Sequence, residues 1–197
     1  STIRPRCESV AEIVEIAEQA SGGPDLGLLE AALRDSDADL TICTLSAASN
    51  ITGITSDVSR ITGLVKATGA RMIWDYAGAG PYVPIAMSPA SGADIDAIVV
   101  SPHKFIGGPG ASGILIVRRD AVSATKPSWP GGGTVKFVSP TTHDYSDSLE
   151  AREEAGTPNV VGDIRAALAF IVKDAIGAQV MAERNHAFAE RAFSAWR

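Results

Sequence analysis

Short apolar runs alternate with helix-like segments along most of the chain, and this alternation is the feature that most limits the fold. Four runs have the length and composition of buried strands: Leu40–Leu45, Arg71–Asp75, Asp94–Val100 and Ser112–Val117. Helices are predicted at Leu26–Arg34, capped by Asp25, and from Asp57 to about Ala67. Continuous apolar runs are typical of parallel strands covered on both faces. The pattern therefore predicts an α/β fold with a doubly wound, mostly parallel sheet.

The rest of the chain divides into three kinds of segment. Residues 11–17 fit either a strand or part of a helix. Residues 121–157 are rich in Pro, Gly, Ser, Thr and His, and the segment is too long for a passive connection. We interpret it as a functional or interface excursion. From Val160 onward the pattern is helical, with a break at Gly177.

Composition and charge exclude several classes of protein. A formal net charge of −6 argues against a nucleic-acid binder, whose affinity comes from clustered cations. The chain is 45% hydrophobic, enough for a core, yet has no apolar run near the ~18 residues of a membrane span and no secretory leader. Two cysteines and three histidines lack the spacing of a metal site. These features predict a cytoplasmic protein without metal, nucleic-acid or membrane partners.

Polar side chains cluster where the predicted strands end. Asn50 follows the first strand, Asp75 ends the second, and Ser101, His103 and Lys104 follow the third. Ligands of doubly wound sheets bind beyond these carboxyl ends. A lysine at a strand end among glycines sits where desolvation can lower its pKa and free its amine for Schiff-base formation. The sequence therefore predicts a ligand site centred on Lys104.

Each of these residues also has a structural alternative when taken alone. Lys104 fits a surface lysine, Asp75 a turn or helix-cap carboxylate, and Asn50 a loop amide bonded to its own backbone. The glycine-rich stretch 107–113 lacks the Gly-Lys-Ser/Thr ending of a phosphate loop, and a strand rather than a helix follows it. The Gly-x-Ser-x-Gly and His-Glu-x-x-His signatures are absent from the sequence. Nucleotide binding at this loop is therefore excluded.

The combination of these positions is far more specific than any one of them. The order is Asn50, Asp75, then Ser101-x-His103-Lys104, then Arg152-x-Glu154-Ala155-Gly156-Thr157-Pro158-Asn159. It resembles the class V aminotransferases, fold-type I pyridoxal-phosphate (PLP) enzymes that include the cysteine desulfurases and selenocysteine lyases. The resemblance runs from about Asp25 to the end of the chain and covers the central portion of such an enzyme.

The resemblance implies a role for each residue. Lys104 would form a Schiff base with PLP and then move the proton on the substrate Cα. Asp75 would pair with the pyridinium nitrogen and Asn50 with the phenolic oxygen. Ser101 and His103 would bind the phosphate. Thr157 would reach the phosphate of the neighbouring subunit's cofactor in a homodimer, and residues 131–134 look like another segment that crosses to the partner.

The sequence also departs from the family pattern. Gly78 stands where many members have a Gln or His that contacts the phenolic oxygen, a loss for which Tyr76 could partly compensate. Neither Cys7 nor Cys43 matches a desulfurase's catalytic cysteine. The resemblance implies that residues 1–160 are part of the PLP-binding large domain, incomplete at both ends. Residues 161–197 would be a helical segment leading to a small domain that is missing.

The expected function is PLP-dependent chemistry on an amino acid, of the transamination or cysteine desulfuration type. Two alternatives stay open. One is a non-catalytic remnant of the fold that serves as a dimerisation or interaction module. The other is a generic Rossmann-like ligand binder, for which the sequence around Lys104 would be coincidence.

Overall fold

Four short strands form the central sheet of the computed structural model, which describes residues 11–89 and 93–196. The strands are β1 (Ile42–Ser46), β2 (Arg71–Asp75), β3 (Ala97–Val100) and β4 (Ile114–Val117), in that spatial order. β1, β2 and β3 are parallel, and β4 is an antiparallel edge strand beside β3. The prediction of an α/β fold with a mostly parallel sheet is confirmed.

Helices α1 (Leu26–Asp35) and α2 (Val58–Ala67) begin where the sequence predicts, each behind an aspartate cap. The carboxylate of Asp25 accepts the backbone N–H of Leu28 at 3.0 Å, and that of Asp57 accepts Arg60 N–H at 3.0 Å. These bonds satisfy N–H groups that the first helical turn leaves without a partner. Residues 11–17 lie in neither a helix nor a strand, so neither interpretation of that segment was right.

One face of the sheet carries the core. Cys43, Met72, Trp74, Ile98 and Val100 alternate along the strands and are all buried on that face. α2 covers it, and the indole N–H of Trp74 donates to Thr62 Oγ1 of that helix at 2.9 Å. The same core includes Leu29 and Leu33 of α1. The opposite face shows more apolar surface to solvent, with Leu115 64% exposed.

The excursion at residues 121–157 contains regular structure of its own. Strands β5 (Val135–Val138) and β6 (His143–Tyr145) form an antiparallel hairpin, followed by the short helix α3 (Leu149–Glu153). Two longer helices, α4 (Val160–Ile176) and α5 (Ala178–Ala195), follow the excursion. They meet at Gly177, whose φ of +83° breaks the helix as the sequence predicts. Ala169 of α4 joins the core.

Candidate functional site

The carboxyl ends of the three parallel strands meet at one edge of the sheet. The backbone N–H of Ala47, just after β1, donates to the carbonyl oxygen of Asp75 at 2.9 Å. The N–H of Tyr76, just after β2, donates to the carbonyl of Val99 at 2.9 Å. The loops that carry Asn50, Asp75 and Lys104 therefore leave the sheet side by side, which is where an open α/β sheet binds ligands.

Asp75 and Asn50 belong to adjoining loops at this edge. Asp75 is half-buried, and its Oδ1 accepts the N–H of Ala77 at 2.7 Å. Asn50 is exposed beside Gly78, where a Cβ atom would lie 3.7 Å from Asn50 Cβ. Because Gly78 has no side chain, the space next to Asn50 at this edge of the sheet stays open. Tyr76 is only 2% exposed and belongs to the core, so it does not replace the missing Gln or His.

Ser101, His103 and Lys104 lie together on the turn that follows β3. Pro102–Lys104 form a single 3₁₀ turn, in which the N–H of Lys104 donates to the carbonyl of Ser101 at 3.0 Å. His103 and Lys104 are exposed, whereas the residues on either side of them, Pro102 and Phe105, are buried. Buried neighbours on both sides fix the turn and hold the two polar side chains outward.

Lys104 also lines a cavity of about 500 Å³ between this turn and the last two helices. The cavity wall is largely apolar; besides Lys104 it includes Tyr82, Ile106, Ile176, Met181 and Phe188. Asn50, Asp75, Ser101 and His103 are not part of that wall. Lys104 therefore belongs both to the turn at the carboxyl end of β3 and to the wall of this apolar cavity.

Thr157 lies at the end of the excursion. It is exposed and precedes α4 by three positions. The neighbouring backbone is held by a bond from Gly156 N–H to the carbonyl of Gly132 at 2.7 Å. The segments around Thr157 and Gly132, both expected to cross to a partner subunit, are thus joined to each other within one chain.

Lys173 is the residue near the site that the sequence did not single out. Its Nζ donates to the carbonyls of Gly80 and Val83 at 2.6 and 2.7 Å, and burial lowers the pKa of its amine. Both carbonyls belong to the loop that follows β2. From the sequence alone, a lysine in the last turn of a helix is interpreted as a favourable partner for the helix dipole. Its two hydrogen-bond partners lie about 90 residues away in the sequence, and the hydrophobic periodicity of a helix does not predict contacts of that kind.

Neither a cluster of metal-ligating side chains nor a membrane-spanning helix occurs among the described residues. Among residues 11–89 and 93–196, no group of three or more His, Cys, Asp or Glu side chains is placed to hold a metal ion. Within the same ranges, no helix combines the length and the apolar character needed to cross a bilayer.

A mostly parallel α/β sheet with a lysine, a carboxylate and an amide on adjoining loops at its carboxyl edge matches the fold-type I PLP proteins. The chain belongs to the aminotransferase class V family, whose family model matches residues 6–195. Proteins of this family use PLP as their cofactor.

The relatives with the most informative names are cysteine desulfurases. The chain is 32% identical over 179 residues to a cysteine desulfurase from Enterobacter sp. (strain 638), covering 90% of this chain and 42% of that protein. Among solved structures, the cysteine desulfurase CsdA from Escherichia coli matches with a TM-score of 0.67 at 28% identity, covering 83% of this chain and 38% of that one. The chain thus spans less than half the length of these relatives.

A third comparison bears on the fold alone. An apo cysteine desulfurase from Thermococcus onnurineus NA1 superposes with a TM-score of 0.78 at 24% identity, covering 91% of this chain and 43% of that one. The chain therefore shares the fold of that structure over 91% of its length.

The residues at the carboxyl edge fit PLP in their chemistry. The ring requires an amine, an acceptor for its protonated nitrogen and a donor for its phenolic oxygen, and Lys104, Asp75 and Asn50 carry these groups. Only Oδ1 of Asp75 is used in the hydrogen bond to Ala77, which leaves its other oxygen for a ring nitrogen. The phosphate requires donors, and Ser101 and His103 lie on the same turn as Lys104.

Proposed function

We propose that this chain is part of a PLP-dependent enzyme of the class V aminotransferase type that acts on an amino acid, and that Lys104 is the lysine that holds the cofactor covalently. The chemistry is of the transamination or cysteine desulfuration type. The observation that carries the proposal is the position of Lys104, exposed on a rigid turn at the edge where β2 ends in Asp75. When bound, PLP supplies an electron sink for the substrate Cα.

The chain's own residues divide the work as follows. Asp75 holds the proton on the ring nitrogen through its free carboxylate oxygen, and Asn50 orients the ring from the adjoining loop. Ser101 and His103 bind the phosphate, and the amine of Lys104 moves the proton at the substrate Cα. Thr157 completes the phosphate site of the neighbouring subunit in a homodimer. Its exposure at the end of the excursion supports that role.

Two coarser features complete the proposal. Residues 1–160 form part of the PLP-binding large domain, and 161–197 form a helical segment that leads towards a small domain. The helices α4 and α5, which run from Val160 to Ala195, support this division. A cytoplasmic location is supported by Cys43, a free thiol in a chain with only two cysteines, as expected in a reducing compartment.

The absorbance of the purified full chain tests the role of Lys104. With PLP added, the protein is expected to show a visible band at roughly 410–430 nm. Lys104→Ala should remove the band because the proposed Schiff base forms on the amine of that residue. Lys126→Ala, an exposed lysine of the excursion, should leave it unchanged. Borohydride treatment followed by peptide mass analysis should find the cofactor fixed on Lys104.

A protein that stays colourless with PLP, or a band that survives Lys104→Ala, would contradict the proposal. The first result would favour the alternative of a non-catalytic dimerisation or interaction module. Where the band is present, incubation with cysteine and with other amino acids distinguishes the reactions. With dithiothreitol present as the two-electron reductant, alanine and sulfide from cysteine indicate desulfuration, and a keto acid that retains the substrate's side chain indicates transamination.

A further inference from the structure

One side chain from α4 contacts two loops, one that follows the proposed site residue Asp75 and one that carries His103 and Lys104. The first is the β2 exit loop, Tyr76–Val83, which directly follows Asp75. The second is the lysine turn, Pro102–Phe105. The Nζ of Lys173 reaches the first loop through the carbonyls of Gly80 and Val83, and it lies 5.4 Å from the ring centroid of Phe105 in the second.

The Phe105 ring of the lysine turn packs against both α4 and the β2 exit loop. The Phe105 ring makes an edge contact with Phe170 of α4, with centroids 5.0 Å apart. The ring also lies against Gly80, where an added Cβ would be 3.1 Å from the ring and 2.7 Å from the carbonyl oxygen of Tyr76. The exit loop and the lysine turn therefore contact each other directly at Gly80, where a side chain would force a shift of the backbone or the ring.

A lysine is a costly choice for a position of this kind. Partial burial disfavours its charged form, and an apolar side chain would fill the same space without that cost. What only a long cationic side chain adds here is a pair of hydrogen bonds to carbonyls three residues apart, together with a cation–π contact to the next loop. These hydrogen bonds and the cation–π contact therefore serve to fix the conformation of the β2 exit loop rather than to fill space in the core.

We propose that Lys173 is a positioning residue that holds the β2 exit loop against the lysine turn, so that the Asp75 carboxylate and the Lys104 amine face the same bound PLP. This inference rests on the proposed function. Lys173 does not touch the cofactor in this scheme; it acts through Gly80 and Phe105.

The test compares Lys173→Met in the full chain with wild type and with Lys126→Met, a matched loss of an exposed lysine. Loss of the two hydrogen bonds should raise the dissociation constant for PLP at least tenfold and change the circular dichroism of the visible band, because the ring is held less uniformly. Lys126→Met should match wild type in both. Lys173→Arg keeps a cation that can donate to both carbonyls, so it should recover much of the affinity.

A second measurement follows the loops directly. Hydrogen exchange of the Gly80 and Phe105 amides, which now donate to Tyr76 and Pro102, should become faster together in Lys173→Met. The amide of Ile61 in α2 serves as the internal reference and should not change. If Lys173→Met does not fold, Lys173→Gln replaces it in the same exchange measurement, since Gln is polar but shorter than Lys.

The outcomes separate positioning from simple stabilisation. A lower melting temperature with PLP affinity within twofold of wild type would overturn the inference, as would faster exchange in α4 with neither loop affected. If the wild-type full chain binds no PLP, the proposed function fails instead. The exchange measurement then still decides whether Lys173 holds the two loops together.

Discussion

Cys43 lies on the buried face of β1 and is only 8% exposed. Burial raises the pKa of its thiol to about 11, since the thiolate loses hydration in an apolar setting. At pH 8 only about one thiol in a thousand would be ionised, and the thiolate is the reactive form. The side chain is therefore a packing group and not a sulfur acceptor.

In a Cys7→Ser background, Cys43 is expected to be inert towards a disulfide reagent such as Ellman's at pH 8 until denaturant is added. Buried thiols react only when the surrounding structure opens. Cys43→Ala should leave PLP binding unchanged and cost stability only through lost packing. Stoichiometric reaction of the native protein within minutes would show that the β1 face is open and would contradict this assignment.

Single positions such as Gly78 and Tyr76 show what residue types alone do and do not reveal. The glycine is evident in the sequence, and its consequence, an open space beside Asn50, follows from having no side chain. Tyr76 lies just past the end of β2, and its burial continues the alternation of Met72 and Trp74 along that strand. The structure places its ring in the core, where burial also raises the pKa of its hydroxyl group.

At the scale of helices and strands, the segments with strong local signals were predicted closely. Asp25 and Asp57 cap α1 and α2, and β2 has the bounds that its apolar run gives. The run at Asp94–Val100 was predicted too long, since the strand begins only at Ala97. The carboxylate of Asp96, just before the strand, makes contacts with β2 and α2 that no local sequence pattern predicts.

Asp96 joins three elements at the amino end of the sheet. Its side chain is 4% exposed and accepts hydrogen bonds from Lys66 Nζ at 2.6 Å, Arg71 NH1 at 2.9 Å and the N–H of Met72 at 2.8 Å. Burial by itself would raise the pKa of this carboxyl, but the bonds from Lys66, Met72 and Arg71 outweigh it and lower the pKa. The charged form is thus the one that the fold stabilises.

Asp96→Asn is expected to lower the free energy of unfolding by about 2 kcal/mol near neutral pH. That is below the ~3–5 kcal/mol for breaking a fully buried pair, because Lys66 and Arg71 are 22% and 39% exposed and regain water. Since folding lowers the pKa, the stabilisation is complete above the unfolded value of about 4 and is lost as the pH falls below it.

Denaturant titrations of wild type and Asp96→Asn between pH 3 and pH 8 would measure this effect. The difference between them should be constant at pH 6–8 and shrink below about pH 4. Asp37→Asn, an exposed loop carboxylate, serves as the control and should show no such difference. A stability gap that persists unchanged at pH 3 would mean that the charge of Asp96 is not its source.

For the whole molecule, the least predictable features are contacts between distant segments. Asn50, Asp75 and Lys104 lie at one edge of the sheet because each is at or just after the carboxyl end of a parallel strand. Parallel strands share such an edge, so the sequence predicts this arrangement. Lys173 and Phe105 form their contacts only once α4 has packed on the sheet. The excursion was recognised by its length and composition, but its β5–β6 hairpin was not, since its short strands carry no clear alternation.

Exposed apolar surface on α4 bears on how two copies of the chain would meet. Ile164, Leu168 and Ile171 follow helical spacing on the exposed side of α4 and are each more than half exposed. An apolar stripe of this kind is typical of a face that contacts another polypeptide. α4 begins three residues after Thr157, so this surface and the proposed donor to a neighbouring phosphate lie next to each other in the chain.

A mixture of two variants with impaired PLP sites tests whether Thr157 serves the neighbouring subunit. Thr157→Val should weaken PLP binding at least tenfold through the lost hydrogen bond to phosphate, and Lys104→Ala removes the covalent link. In a hybrid dimer of the two, one site carries both defects and the other carries neither. After unfolding and refolding together, about a quarter of the sites should regain wild-type affinity and the visible band, because random pairing makes half of the dimers hybrid. If Thr157 acts within its own subunit, every site keeps one defect and mixing restores nothing, whereas the unmixed variants provide the baseline for both outcomes.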